Sequence, residues 1–129
     1  RPLVKRCHIL FVTEREIRLL TDGDLSAGTK QLMELGPAIV VCKRGREGSL
    51  IFSQGGEFEV PAPQVEVVDN TGAGDVYNAG FLAGLILGRS LEESALFATA
   101  IAAKSVTGYG RDRYPTKEDL EEFFGKVPY

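Results

Sequence analysis

Val67-Val68-Asp69-Asn70-Thr71-Gly72-Ala73-Gly74-Asp75-Val76 is the stretch on which the fold of this chain turns. An apolar, strand-like run with Val65, Val67 and Val68 leads into it, and a small-residue helix pattern from Ala79 to Leu87 leaves it. Between them the spacing predicts a tight turn that opens a helix. The first amides of a helix have no internal partner, and the helix dipole adds partial positive charge there. Glycines at such a turn let the backbone approach a ligand, because no Cβ stands in the way. Asp75 is electrostatically out of place beside an anion. It makes sense as a base acting on a hydroxyl next to a phosphate, or as the partner of a bound cation.

Outward from this centre, strand and helix patterns alternate. Arg6 to Val12 is a buried strand pattern, Glu14 to Leu20 a short helix, and Thr21-Asp22-Gly23-Asp24 a break. Leu25 to Leu35 is a second helix, stopped by Gly36-Pro37. Ala38 to Cys42 is a continuous apolar strand of the kind covered on both faces. The basic glycine loop Lys43-Arg44-Gly45-Arg46-Glu47-Gly48 follows it. Ser49 to Ser53 and Glu57 to Val60 then form a hairpin around Gln54-Gly55-Gly56. Beyond the central stretch come helices over Asp75 to Leu87, Leu91 to Thr107 and Thr116 to Phe124, with Ser90 and Thr116 as N-caps. Early alternation and late helices indicate a single α/β layered domain over residues 1–129 with a mainly parallel sheet.

The bulk properties narrow the function. The chain has 129 residues, 43% hydrophobic and 26% charged, as expected of one soluble globular domain. A net charge of −3 gives no electrostatic case for nucleic acid. No apolar run reaches membrane-spanning length, and Arg1 to Lys5 carries no signal-peptide core, so a cytoplasmic setting is expected. Cys7 and Cys42 lie far apart in apolar runs and are expected as reduced, buried thiols; His8 in the same kind of run is expected to be structural. The chain starts on Arg1 rather than Met, which suggests that it begins inside a larger protein.

Two common nucleotide signatures fail here. Gly72-Ala73-Gly74 could begin a dinucleotide fingerprint, but its third glycine position is Tyr77, too large for close helix–strand packing. Gly28-Thr29-Lys30 lacks P-loop spacing and sits within a helix pattern.

The remaining motif, Asp69-Asn70-Thr71-Gly72-Ala73-Gly74-Asp75 continued by Asn78-Ala79-Gly80-Phe81, closely resembles the C-terminal signature of the ribokinase-like (PfkB) carbohydrate kinase family. Lys43 to Gly48 is similar to that family's nucleotide-side glycine loop. Ala102 to Gly110 is similar to the helix-to-loop segment bordering the adenine and a monovalent-cation site. The resemblance implies ATP and Mg²⁺ as cofactors, with K⁺ as a further candidate. It implies that Asp75 is the general base and that the amides of Gly72, Ala73 and Gly74 form an anion hole. Lys43, Gly45, Gly48, Thr71, Gly72, Gly74, Ala103 and Gly108 would face the nucleotide. Asp69 and Thr71 would offer oxygens to a monovalent cation. Glu16, in Thr13-Glu14-Arg15-Glu16, falls on the glutamate of the family's N-x-x-E motif, associated with magnesium; Thr13 departs from its asparagine. Each has a plainer alternative: Asp75 as a helix-initiating acid, Asp69 and Thr71 as turn formers, Glu16 as a solvated helix residue, Lys43 as a surface charge, Gly45 and Gly48 as turn glycines. Arg111-Asp112-Arg113-Tyr114 is expected as a solvated charged loop.

Family members are about twice this long, and the part with no counterpart here is the N-terminal half that supplies most of the acceptor pocket. The implied partners are ATP, a small hydroxyl-bearing substrate, and that missing half or a homodimer mate; nucleic acid and membrane are not implied. A sugar or sugar-like alcohol is the expected acceptor, with a vitamin or nucleoside kinase, or a non-catalytic nucleotide-binding fragment, as alternatives.

Overall fold

A computed structural model describes residues 7–21, 24–109 and 112–125. Arg1 to Arg6, Asp22-Gly23, Gly110 and Arg111 lie outside the described residues. The single domain expected over 1–129 divides into two compact units, Arg1–Glu59 and Val60–Tyr129.

In the first unit, β1 (Ile9–Thr13), α1 (Glu14–Leu20), α2 (Leu25–Glu34) and β2 (Ile39–Lys43) form a right-sized crossover, and β3 (Ser49–Ser53) and β4 (Gly56–Val60) follow as a hairpin. The strands lie in the order β1-β2-β3-β4. β1 and β2 run parallel, Val12 beside Cys42 and Thr13 beside Lys43, whereas β2 and β3 run antiparallel. The sheet is therefore mixed, and the expected parallel character holds for β1–β2. The five-residue connection from Arg44 to Gly48 is too short for a parallel return, whereas the helical crossover permits one. Strand alternation builds the core. Val12, Val40, Cys42 and Phe52 share one face and pack with Ile17 of α1 and Leu32 of α2. The Cys42 thiol lies in this core, and burial, aided by Glu14 and opposed by Arg44, pushes it up to about 11. It is an unreactive thiol. Neither cysteine is in a disulfide, and Cys7 is only half-buried. His8 is exposed rather than packed; its backbone carbonyl accepts from the Ala38 and Ile39 amides.

In the second unit, α3 (Ala73–Ile86) packs along α4 (Leu91–Ser105), with α5 (Lys117–Phe124) against α4. The close approach of α3 and α4 explains the small residues. A Cβ on Gly84 would stand 2.8 Å from Ser94 Cβ and 2.9 Å from its Cα, and one on Gly80 would stand 3.2 Å from Ala98 Cα. Tyr77 is buried and stacks on Phe81 at 6.3 Å between centroids, as a large residue at the failed third glycine position should. Val76, Phe97 and Ile101 form the core of this unit, with Tyr114, Leu120 and Phe124 packed on it.

The expected strand before the central stretch does not form. Val65, Val67 and Val68 are 39%, 42% and 40% exposed in an extended segment. The amides of Val68 and Asp69 both donate to Val106 O, at 2.7 and 3.1 Å. Strand amides point alternately to opposite sides, so two consecutive donors to one carbonyl cannot belong to a ladder. That carbonyl caps α4, and its free acceptor is what draws the chain there.

No helix among the described residues is long and apolar enough to cross a membrane.

Candidate active site

The centre of the second unit is the turn from Asp69 to Asp75. Thr71 N–H donates to Asp69 Oδ1 at 3.0 Å, the local turn expected of an aspartate. Ala73 N–H donates to Asn70 O at 3.2 Å. Gly72, at φ 78°, ψ 2°, is the N-cap of α3 and has no side chain to bond the first-turn amides. Among the described residues, the amides of Gly72, Gly74 and Asp75 have no partner. Of the three amides expected to form an anion hole, Ala73's is committed to the turn, and Asp75's is open in its place.

Asp75 occupies the third position of α3, where a capping acid would sit. Elsewhere that position is used for capping. Glu16 Oε1 accepts from Thr13 N–H at 2.9 Å, Glu93 Oε1 from Ser90 N–H at 3.3 Å, and Asp119 Oδ2 from Thr116 N–H at 2.8 Å. Asp75 makes no such bond among the described residues and is exposed beside the open amides.

Thr71 is exposed, Ala103 is half-buried on α4, and Gly108 lies just beyond that helix. The bonds to Val106 O bring the end of α4, just before Gly108 in the chain, to the start of the turn. A Cβ on Gly108 would stand 3.3 Å from Arg113 Cβ, which leaves that position to glycine for steric reasons. Tyr114, expected in a solvated loop, is half-buried instead. Its hydroxyl donates to Thr71 O at 3.2 Å.

In the first unit, the remaining candidates leave one edge of the parallel pair. Thr13 and Lys43 are neighbours at the carboxyl ends of β1 and β2. Ligands of α/β sheets bind at such ends. Lys43 Nζ stands 6.0 Å from the Phe11 ring centroid. Gly45 (φ 60°) and Gly48 (φ 91°) bound a 3₁₀ turn, Gly45–Glu47, and both need the left-handed region. Nothing in the local residue pattern signals Arg44's part in this. Its NH2 donates to Glu59 Oε1 at 2.7 Å and to Glu47 O at 3.3 Å, tying the loop to β4. Glu16 is held by the capping box, so one of its carboxylate oxygens is engaged and the other is left for a hydrated cation. Magnesium commonly binds through one or two carboxylates plus substrate phosphates, and Glu16 fits that use. Among the described residues no group of three His, Cys, Asp or Glu forms a metal cluster.

Two of the oxygens expected to meet K⁺ already accept protein hydrogen bonds. Thr71 O accepts from Tyr114, and Asp69 Oδ1 accepts from Thr71. A monovalent cation here would have to share Thr71 O with the Tyr114 hydroxyl.

The sequence pattern of the pfkB family carbohydrate kinases matches residues 1–117. An uncharacterized sugar kinase of Archaeoglobus fulgidus is 36% identical over 118 residues, 91% of this chain and 47% of that protein. A nucleoside kinase of Methanothermobacter thermautotrophicus is 39% identical over 104 residues, 81% of this chain and 33% of that protein. The structure of a ribokinase II from Escherichia coli, in complex with ATP and Mg²⁺, superposes with a TM-score of 0.86 at 28% identity, covering 95% of this chain and 40% of that one. The chain thus spans less than half the length of these relatives.

Proposed function

The chain belongs to the pfkB family of carbohydrate kinases, and on that premise we propose that it is the nucleotide side of an ATP-dependent phosphotransferase acting on a hydroxyl of a sugar or nucleoside. The observation that carries this reading is the turn at α3: open amides at a helix start, beside an acid in a capping position that does not cap. Phosphoryl transfer asks a protein mainly for positioning and charge stabilisation. The amides of Gly72, Gly74 and Asp75 would receive the charge developing on the γ-phosphoryl group. Asp75 would take the proton from the acceptor hydroxyl as its oxygen bonds to the γ-phosphorus and the bond to ADP breaks. Taken unit by unit, Lys43 and the Gly45–Gly48 turn are the first unit's candidates for nucleotide contact, and Ala103 and Gly108 are the second's. Glu16 would help hold Mg²⁺, which would supply positive charge against the phosphates. Dependence on ATP and the reduced state of Cys7 and Cys42 favour the cytoplasm.

A second reading is a nucleotide-binding piece that does no chemistry until a partner supplies the acceptor side. The share of the relatives that the chain spans favours it. Calorimetric titration with ATP and Mg²⁺, followed by a phosphoryl-transfer assay against ribose and nucleosides, with and without the acceptor-side half, separates the two. Asp75→Asn should lower turnover by about 10²- to 10⁴-fold, the usual worth of a general base, with ATP affinity nearly unchanged. Equal loss of binding and transfer would argue against the base role.

A further inference from the structure

We propose that Tyr114 is a positioning residue that holds the Thr71–Gly72 peptide from behind, in place of a bound monovalent cation; this rests on the phosphate-binding role of the α3 turn. The peptide is planar and trans, so its C=O and N–H point to opposite sides. Tyr114 fixes the C=O with its hydroxyl, at 3.2 Å. Gly72 N–H is thereby directed the other way, and among the described residues it has no partner. The hydroxyl of Tyr114 therefore orients one of the open amides without touching the phosphate itself.

The ring adds a steric wall. A Cβ on Gly72 would stand 3.1 Å from Tyr114 Cζ, so the phenol lies flush against the turn. The ring is anchored by packing on Val76, Phe97 and Ile101. Its hydrogen bond spans 43 positions of sequence, and it is the tie that fastens the segment before α5 to the signature turn. An ion coordinated by Thr71 O would have to share or displace this hydroxyl. The turn is already closed by protein hydrogen bonds at Asp69 Oδ1 and Thr71 O, so phosphate binding should not need potassium.

The test compares the chain with Tyr114→Phe, which keeps the ring and its packing. ATP titration is run in potassium chloride and in tetramethylammonium chloride at equal ionic strength, and the Gly72 amide resonance is followed by NMR. The original chain should bind ATP equally in both salts. Tyr114→Phe should bind about fivefold more weakly in the tetramethylammonium salt, the worth of one hydrogen bond, and recover in potassium, which can then reach the freed carbonyl. The Gly72 resonance should shift in the variant while that of Gly84 stays. Tighter ATP binding by the original chain in potassium would overturn the proposal, as would a variant that matches it in both salts. If the original chain binds no ATP, the functional reading fails; the Gly72 resonance then decides the positioning role alone, its shift supporting it and its constancy overturning it.

Discussion

Gly72 joins two demands that no other side chain meets. Its φ of 78° lies in the left-handed region, and Tyr114 fills the place of a Cβ. A non-glycine residue at such an angle costs roughly 1–3 kcal/mol before any clash. Gly45, at φ 60°, has nothing within 4 Å of its missing Cβ. Gly45→Ala should therefore show the backbone cost alone, near 1 kcal/mol by urea unfolding. Gly72→Ala should lose clearly more, and weaken ATP binding as well. Equal losses at the two positions would mean that the Tyr114 wall yields freely. The two residues also differ in how legible they are. Asp69 to Asp75 carries its chemistry in consecutive residues, so the turn, the helix start and the uncapped acid can be expected from the sequence. Tyr114 acts across 43 positions, and nothing local in Arg113-Tyr114-Pro115 distinguishes a buttress from a solvated loop.

The helices were the most legible elements because their starts are written locally. Ser90 with Glu93, and Thr116 with Asp119, close the capping boxes that their spacing announces. The Val65–Val68 segment shows the opposite case. Its apolar residues match a strand, but a strand needs a neighbour, and the Val68 amide goes instead to Val106 O. Packing between elements was legible only as a preference for small residues. Gly84 is where it matters most, since its missing Cβ faces Ser94. Gly84→Val should destabilise the chain by about 1–3 kcal/mol through overpacking, read as a lower urea midpoint with an unchanged slope. A smaller tie joins α4 to α5, where Lys104 Nζ donates to Asp119 Oδ1 at 2.5 Å. That hydrogen bond first, with the Thr116 amide, holds the Asp119 carboxyl below its ordinary value, against the effect of partial burial. The folded value lies below the unfolded one, so the stabilisation is complete above about pH 3.9 and is lost as pH falls through the folded value. The stability gap between the chain and Asp119→Asn should stay constant from neutral pH to about pH 5 and close in stronger acid. A gap that closes near neutrality would show another group to be responsible.

At the scale of the molecule, the candidate residues are divided between the two units. The first offers Lys43, the Gly45–Gly48 turn and Glu16 at the carboxyl ends of parallel strands; the second offers the open amides and Asp75. Within the sheet, β1 pairs only with β2 among the described residues and stands at an edge. On α3, Leu82 is 40% and Ile86 75% exposed, one helical turn apart on the same face. An unpaired edge and an apolar stripe are surfaces that other polypeptide usually covers. Relatives that superpose over 95% of this chain are only 40% accounted for by it, so they hold ample polypeptide to do so. The family was legible from the signature; the acceptor was not, and the chain spans less than half the length of relatives whose names differ in it. The chain alone is thus expected to bind ATP and to transfer little or no phosphate to sugars or nucleosides. Supplying the acceptor-side half of a relative as a separate polypeptide should restore transfer. Leu82→Lys with Ile86→Lys should block that restoration while leaving ATP affinity unchanged, because these side chains lie on α3 well beyond its first turn. Native mass measurement would report the complex directly. Turnover by the chain alone, comparable with that of a full-length relative, would show that these residues already hold an acceptor site.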